Sequence, residues 1–374
     1  MKTTAIIVEY NPLHNGHLYH LKKARELSNP DCLVAIMSGN VTLRGDVAIA
    51  DKFARAACAV ENGVDLVVEL PYQYVIQNAY TFANGAIMLA KSLKADTLVF
   101  GSETNNLAEL QKYAELEIDV THLKTLMRQG LAYPKAYGLL CGALYPNDIL
   151  AVAYLKALKG SGIKPVSIQR TSDYHSDELK DFASATALRK ALKEQTDISA
   201  YSPMQIKEPV FTEAFYPLLR TALFSSSRQE LQNIFMVSEG IEKLLKDNAY
   251  QYDNYHDFLK ASISKRYTAS RIQRICANIL FNISKQEIAE LPKEPYLRVL
   301  AFNGKGRKLL KELKKNDPKL PIVTTFKKLP SLQKELDWKV NSIYALATKN
   351  PAALLKRELQ GPYIMISDAE NPEF

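Results

Sequence analysis

The chain has no long apolar run. Its longest ones, "AIIV", "CLVAIM", "DLVVEL" and "DTLVF", fall far short of the roughly 20 residues that cross a bilayer as a helix. No membrane partner is therefore expected. Met1-Lys2 passes straight into a strand-like run with no signal-peptide apolar region, which makes the cytoplasm the expected compartment. Cysteine is scarce as well. Cys32, Cys58, Cys141 and Cys276 are scattered without CxxC spacing, which argues against a disulfide framework or a thiolate zinc site. Cys32 and Cys58 lie in apolar segments, where buried thiols are expected. Histidine is the third scarcity: there are six in 374 residues, and half of them fall within seven positions.

The remaining composition is that of an ordinary globular protein, 47% hydrophobic and 24% charged, with a net charge of +8. Short β-branched runs alternate with amphipathic stretches through the first half. Residues 3–10, 32–37, 65–70, 96–100 and 164–169 read as buried parallel strands. "NGHLYHLKKARELS", "IADKFARAACAVENG" and "AYTFANGAIMLAKSLKA" have helical spacing between them. Such alternation predicts a doubly wound, mostly parallel α/β sheet whose ligands sit at the carboxyl ends of the strands. After about residue 200 the texture becomes helical and rich in Lys and Arg. Two domains are expected, an α/β domain over 1–200 and a mainly helical basic domain over 201–374.

The clustered histidines are His14, His17 and His20 in "EYNPLHNGHLYHL". They begin where the first strand ends and a helix starts near Asn15 or Gly16. A helix N-terminus offers unpaired N–H groups and the positive end of the dipole, so it suits phosphate. Imidazoles there can donate to phosphoryl oxygens and stabilise charge developing at phosphorus. A zinc reading lacks the HExxH spacing and a further ligand set, so no metal ligands are assigned. The plainer reading is a capped turn with surface histidines.

"HNGH" after a first strand resembles the HxGH signature of the nucleotidyltransferase superfamily, and "SATALR" at 184–189 resembles the helix-start motif those enzymes place on a triphosphate. Ser184 and Thr186 suit capping and phosphate contact, and Arg189 follows one turn later as a cation. "VVEL", "FGSE", "PNDILAVAYLKAL", "RTSDYH", "SKRYTASRIQR" and "YLRVLAFNGKGRKLLKEL" appear in the order of one family, the bacterial tRNA(Met) cytidine acetate ligases. The resemblance implies that ATP activates acetate to acetyl-adenylate, releasing pyrophosphate. The acetyl group then passes to the wobble cytidine of elongator tRNA(Met), giving N4-acetylcytidine. Mg²⁺ is expected with ATP. It also implies an ATP segment of Ile7, Val8, Glu9, Tyr10, Asn11, Pro12, Leu13, His14, Asn15, Gly16, His17, Leu18, Tyr19 and His20, completed by Gly101, Asn147 and Arg170, with Ser184, Thr186 and Arg189. His14 and His17 are the catalytic pair. Asp148, where the family pattern has Asn, is expected to repel phosphate or to bind Mg²⁺. His175 is a candidate for handling the amine proton.

In the second half, Lys265, Arg266, Arg271 and Arg274 mark one basic region, and Arg298, Lys305, Arg307 and Lys308 open another. Tyr267, Tyr296 and Phe302 lie among them, as core residues or as base-stacking platforms. A tRNA backbone surface is expected, with Lys265, Arg266, Arg271, Arg274, Arg307 and Lys308 as its contacts. Two alternatives stay open at this point. One is a small-molecule adenylyl- or cytidylyltransferase, for which HxGH suffices; the other is a tRNA-binding protein without catalysis.

Overall fold

The computed structural model describes residues 1–117, 119–142, 144–170 and 183–366. Five parallel strands form in the expected places: β1 (Thr3–Val8), β2 (Cys32–Ser38), β3 (Leu66–Leu70), β4 (Thr97–Ser102) and β5 (Lys164–Gln169). They order as β5-β4-β1-β2-β3. The chain thus winds one way from β1 to β3 and the other way from β4 to β5. The carboxyl ends of β1 and β4 face the crevice where the order reverses. β1 and β2 are almost wholly buried, as strands covered on both faces must be.

Helix α1 (Asn15–Ser28) follows β1 and packs Leu21, Ala24 and Ser28 inward, with Thr4 Oγ1 donating to Ser28 Oγ at 2.8 Å. Helix α2 (Lys52–Glu61) is capped by Asp51, whose carboxylate accepts the Phe53 and Ala54 amides. Cys32, Cys58 and Cys276 are buried free thiols.

The sheet does not end at residue 200. β6 (Leu297–Phe302) pairs antiparallel with β3, and β7 (Ile322–Val323) and β8 (Tyr363–Ile364) pair with opposite ends of β6. All six β6 residues are buried. The separate helical core lies between, built on residues such as Leu219, Leu223, Leu245, Phe258, Ile272 and Ile275. The expected boundary at 200 therefore cuts across the sheet, because "LRVLAF" is a central strand set inside a helix-rich half. Arg298, expected with the surface cations, is 2% exposed. Its Nη2 lies 3.4 Å from Glu358 Oε1, beside the buried pair Lys52–Glu69 at 2.9 Å. Tyr267, Tyr296 and Phe302 are buried too, so they are core residues and offer no base-stacking surface.

Arg55, on α2, is fully buried and binds no carboxylate among the described residues. Its Nη1 donates to the carbonyls of Glu9 at 2.5 Å and Ser38 at 3.2 Å, its Nε to Ala50 at 2.9 Å, and its Nη2 to Gly39. One guanidinium thereby gathers the ends of β1 and β2 and both ends of the loop between β2 and α2. Arg55→Met leaves those carbonyls bare in a buried site. The expected loss is about 3–5 kcal/mol of stability in urea unfolding; a loss below about 1 kcal/mol would contradict the assigned role.

Candidate active site

A cavity of ≈ 290 Å³ opens at the switch point, lined by the end of β1, the start of α1, Gly101 on β4, Ile168 to Arg170 at the end of β5, and Ser184, Thr186 and Arg189. Its first wall follows from local chemistry. Tyr10 stands in the left-handed region (φ 49°) and turns the chain so that its ring meets His17 edge-on at 5.0 Å. His14 then caps α1: its Nδ1 accepts the Gly16 amide at 3.1 Å, while the His14 amide donates to His17 Nδ1 at 3.3 Å. The two rings lie 3.8 Å apart. This is a capping box made by two imidazoles in place of Ser and Glu. With each Nδ1 an acceptor, each neutral ring carries its hydrogen on Nε2.

Burial keeps those rings neutral. Desolvation first, then Arg170 and Arg189, lowers His14 to about 4. Burial and the neighbouring histidines hold His17 well below its ordinary value. His20, for which the sequence suggests no role, also lines the cavity; its Nε2 is buried without a partner among the described residues. Burial and Arg170 lower it to about 4.

The cations stand opposite. Arg170 crosses Gly101 so closely that a Cβ there would lie 3.4 Å from its Cγ, and its Nε is buried and unpartnered among the described residues. Ser184 caps the helix Ala185–Lys193 by accepting the Ala187 amide at 3.1 Å. Arg189, one turn on, donates to the Asn11 carbonyl at 2.8 Å and to Thr186 Oγ1 at 3.2 Å. Asn147 lines the cavity, and its Nδ2 is held by Glu103 Oε1 at 2.5 Å.

Asp148, expected beside the phosphates, does not line the cavity. It is 0% exposed and accepts from Ser102 Oγ at 2.5 Å, the Glu103 amide at 3.0 Å and Thr104 Oγ1. Its lone pairs are spent fastening the turn after β4. Among the described residues no group of three His, Cys, Asp or Glu could hold a metal. His175 lies outside the described residues.

A further wall comes from the loop after β2: Thr42, Leu43, Arg44 and Asp46 line the cavity. The helix Ala269–Leu280 supports that loop. Gln273 Nε2 donates to Asp46 Oδ1 at 2.6 Å, and Arg274 Nη1 to the Leu43 carbonyl at 3.2 Å. The Arg274 backbone packs against Gly45. Arg274 thus faces inward, while Lys265 and Arg266 are exposed. Arg266 and Arg271 share Glu239, at 3.1 and 3.4 Å. Arg307 and Lys308 lie elsewhere. They open the helix Gly304–Asn316, whose Asn303 cap binds Asp65 at the amino end of β3, about 17 Å of strand from the edge that holds the cavity.

Comparison with known proteins fixes the lineage. The family model HIGH Nucleotidyl Transferase matches residues 1–358. A tRNA(Met) cytidine acetate ligase of Anoxybacillus flavithermus is 39% identical over 97% of this chain and 99% of its own. The protein of that name from Limosilactobacillus reuteri is 37% identical over 98% of this chain and 100% of its own. The chain belongs to this family. Thermotoga maritima TmcAL, solved in an apo form, superposes with a TM-score of 0.87 at 32% identity, covering 98% of this chain and 100% of that one. A second form of that protein, bound with alpha-thio ATP, gives 0.85. The doubly wound sheet is therefore a family property.

Histidines held neutral by burial make folding sensitive to acid. Between the ordinary imidazole value of 6.5 and about 4, the unfolded chain binds protons that the folded chain refuses, so stability falls as pH drops through that window. His20→Leu is expected to take up to about 1.4 kcal/mol per pH unit off that slope. Urea unfolding at pH 7, 6 and 5 measures it, and an unchanged slope would contradict a buried neutral His20.

Proposed function

We propose that this chain is an ATP-dependent tRNA(Met) cytidine acetate ligase. Acetate attacks the α-phosphate of ATP to give acetyl-adenylate and pyrophosphate, and the acetyl group then passes to the wobble cytidine of elongator tRNA(Met). The observation that carries this reading is the pair of Nε2–H donors fixed by the α1 capping box in a cavity walled by Arg170 and Arg189. It stands beside full-length relatives that bear the ligase name.

In the first half-reaction the protein needs no nucleophile of its own. Its work is to position and to neutralise charge. The N-terminus of α1 and the Nε2–H groups of His14 and His17 meet phosphoryl oxygens as charge develops. Arg170, Arg189, Ser184 and Thr186 hold the remaining phosphates. The apolar wall of Phe100, Leu150 and Tyr154, with Gly101 and Asn147, receives the nucleoside. Mg²⁺ enters on the triphosphate, whose oxygens chelate it. No described helix is long and apolar enough to cross a membrane.

For tRNA, exposed Lys265 and Arg266 stand on the segment that leads into the helix supporting the cavity loop, and Arg271 lies one turn beyond. The Lys265 carbonyl also accepts the Ala132 amide at 3.0 Å, which joins that segment to residues near 132. Arg307 and Lys308 supply a second, distant contact to a long RNA.

Incubation with ATP, labelled acetate and elongator tRNA(Met) should place alkali-stable label in cytidine, and His14→Ala or His17→Ala should cut acetate-dependent pyrophosphate exchange by about 100-fold or more while leaving tRNA affinity within about 3-fold. Absence of label with an active preparation would refute the reading. Lys265→Glu with Arg266→Glu should weaken tRNA binding and flatten its salt dependence, by a log–log slope of about 1 for every phosphate no longer neutralised. An unchanged slope would remove that segment from the interface.

A further inference from the structure

Acetyl transfer requires a proton acceptor. The exocyclic amine of cytosine is conjugated with the ring and is not basic, so it attacks an acyl carbon only as its proton leaves. His14 and His17 cannot take that proton, because each Nδ1 accepts a backbone N–H and each Nε2 already carries hydrogen, and burial beside Arg170 lowers His20 to about 4, which leaves it a weaker base than a carboxylate whose own value burial raises. Arg44, Arg170 and Arg189 are cations, and the phenols of Tyr10 and Tyr154 are held protonated by burial. Among the described residues of the cavity wall, two carboxylates remain, Glu9 and Asp46. Asp46 sits on the loop after β2 with its Oδ1 accepting the Gln273 amide at 2.6 Å, whereas Glu9 directly follows the central strand β1. Glu9 Oε1 accepts the Leu43 amide at 2.7 Å, and its Oε2 has no hydrogen bond among the described residues. Arg55 holds the Glu9 carbonyl, so this carboxylate is fixed from the backbone and from one oxygen, immediately before the Tyr10 turn.

We propose that Glu9 Oε2 accepts the N4 proton of the target cytidine during acetyl transfer. The inference rests on the ligase reading above. The N4–C bond forms and the bond between the acetyl carbon and the AMP oxygen breaks. That electron pair leaves on the phosphate, and the proton passes to Glu9. A carboxylate is also the group that pairs with cytosine N4–H in nucleic-acid recognition, so the same oxygen orients the base before it reacts. The charged and titratable groups facing Glu9 are Arg44 on the loop, Arg55 on α2, Arg189 on the helix Ala185–Lys193 and Tyr154 on the helix Pro146–Leu158. Burial raises the carboxyl above its ordinary value against the pull of those arginines, which brings a general base nearer to neutral pH.

The test separates the half-reactions in the full-length protein. Acetate-dependent ATP–pyrophosphate exchange reads the first, and single-turnover transfer to elongator tRNA(Met) across pH 5–9 reads the second. In Glu9→Gln, transfer is expected to fall about 100-fold or more beyond any fall in exchange and to lose its rise with pH, and Glu9→Asp should recover part of it. Asp46→Asn is expected to keep that rise with pH. Equal losses in both half-reactions, or transfer within about 3-fold of wild type, would overturn the assignment. Wild-type protein that exchanges but labels no tRNA would instead overturn the ligase reading.

Discussion

A single buried guanidinium governs the architecture around the site. Arg55 has no carboxylate partner among the described residues, and its donors are spent on carbonyls at the ends of β1 and β2 and along the following loop. Carbonyls at the carboxyl ends of parallel strands have no further strand to bind, and a crevice there would ordinarily be wet. Donors from α2 satisfy those carbonyls from within the chain. The consequence is local and specific. β1 ends in a fixed place, the Tyr10 turn follows, and α1 begins where its first turn faces the cavity.

Charge in the cavity is arranged for an anion. Arg170 and Arg189 are largely desolvated, and the imidazoles beside them stay neutral partly because of those cations. In the proposed reading a triphosphate satisfies both groups at once: it neutralises the arginines and accepts from the Nε2–H donors. Phosphate oxygens are strong acceptors for preorganised donors in a low-dielectric site, and no reorganisation is needed as charge develops. The helix Ala269–Leu280 buttresses one wall of this cavity through Gln273 and Arg274, so the helical part of the chain helps to shape it.

Much of this was legible in the sequence, for physical reasons that differ by element. β1 to β5 were readable because buried parallel strands are continuous apolar runs bounded by polar residues. "HNGH" and "SATALR" were readable because a strand-to-helix junction needs particular caps. β6 was absorbed into the helical half, although "YLRVLAF" is the same kind of run; the basic helix after it and the charge of Arg298 masked the strand. The Arg298 partner, Glu358, is 60 residues away, and sequence spacing cannot announce such a pair. Asp148 looked like a liability beside a phosphate until Ser102, Glu103 and Thr104 were seen to consume its lone pairs. The separate parts of Glu9 and His20 were hidden inside a segment read as a unit.

The account turns on the protonation pattern of two rings. Nitrogen-15 NMR of the imidazoles, with His14 and His17 assigned by single His→Gln replacements, observes that pattern directly. The structure predicts neutral rings at pH 7 with hydrogen on Nε2 and a bare Nδ1 in both, persisting to about pH 5 in the free protein, and Nε2 shifts that move when ATP is added. Imidazolium signals at neutral pH, or hydrogen on Nδ1 of either ring, would contradict the capping box and with it the proposed phosphate donors.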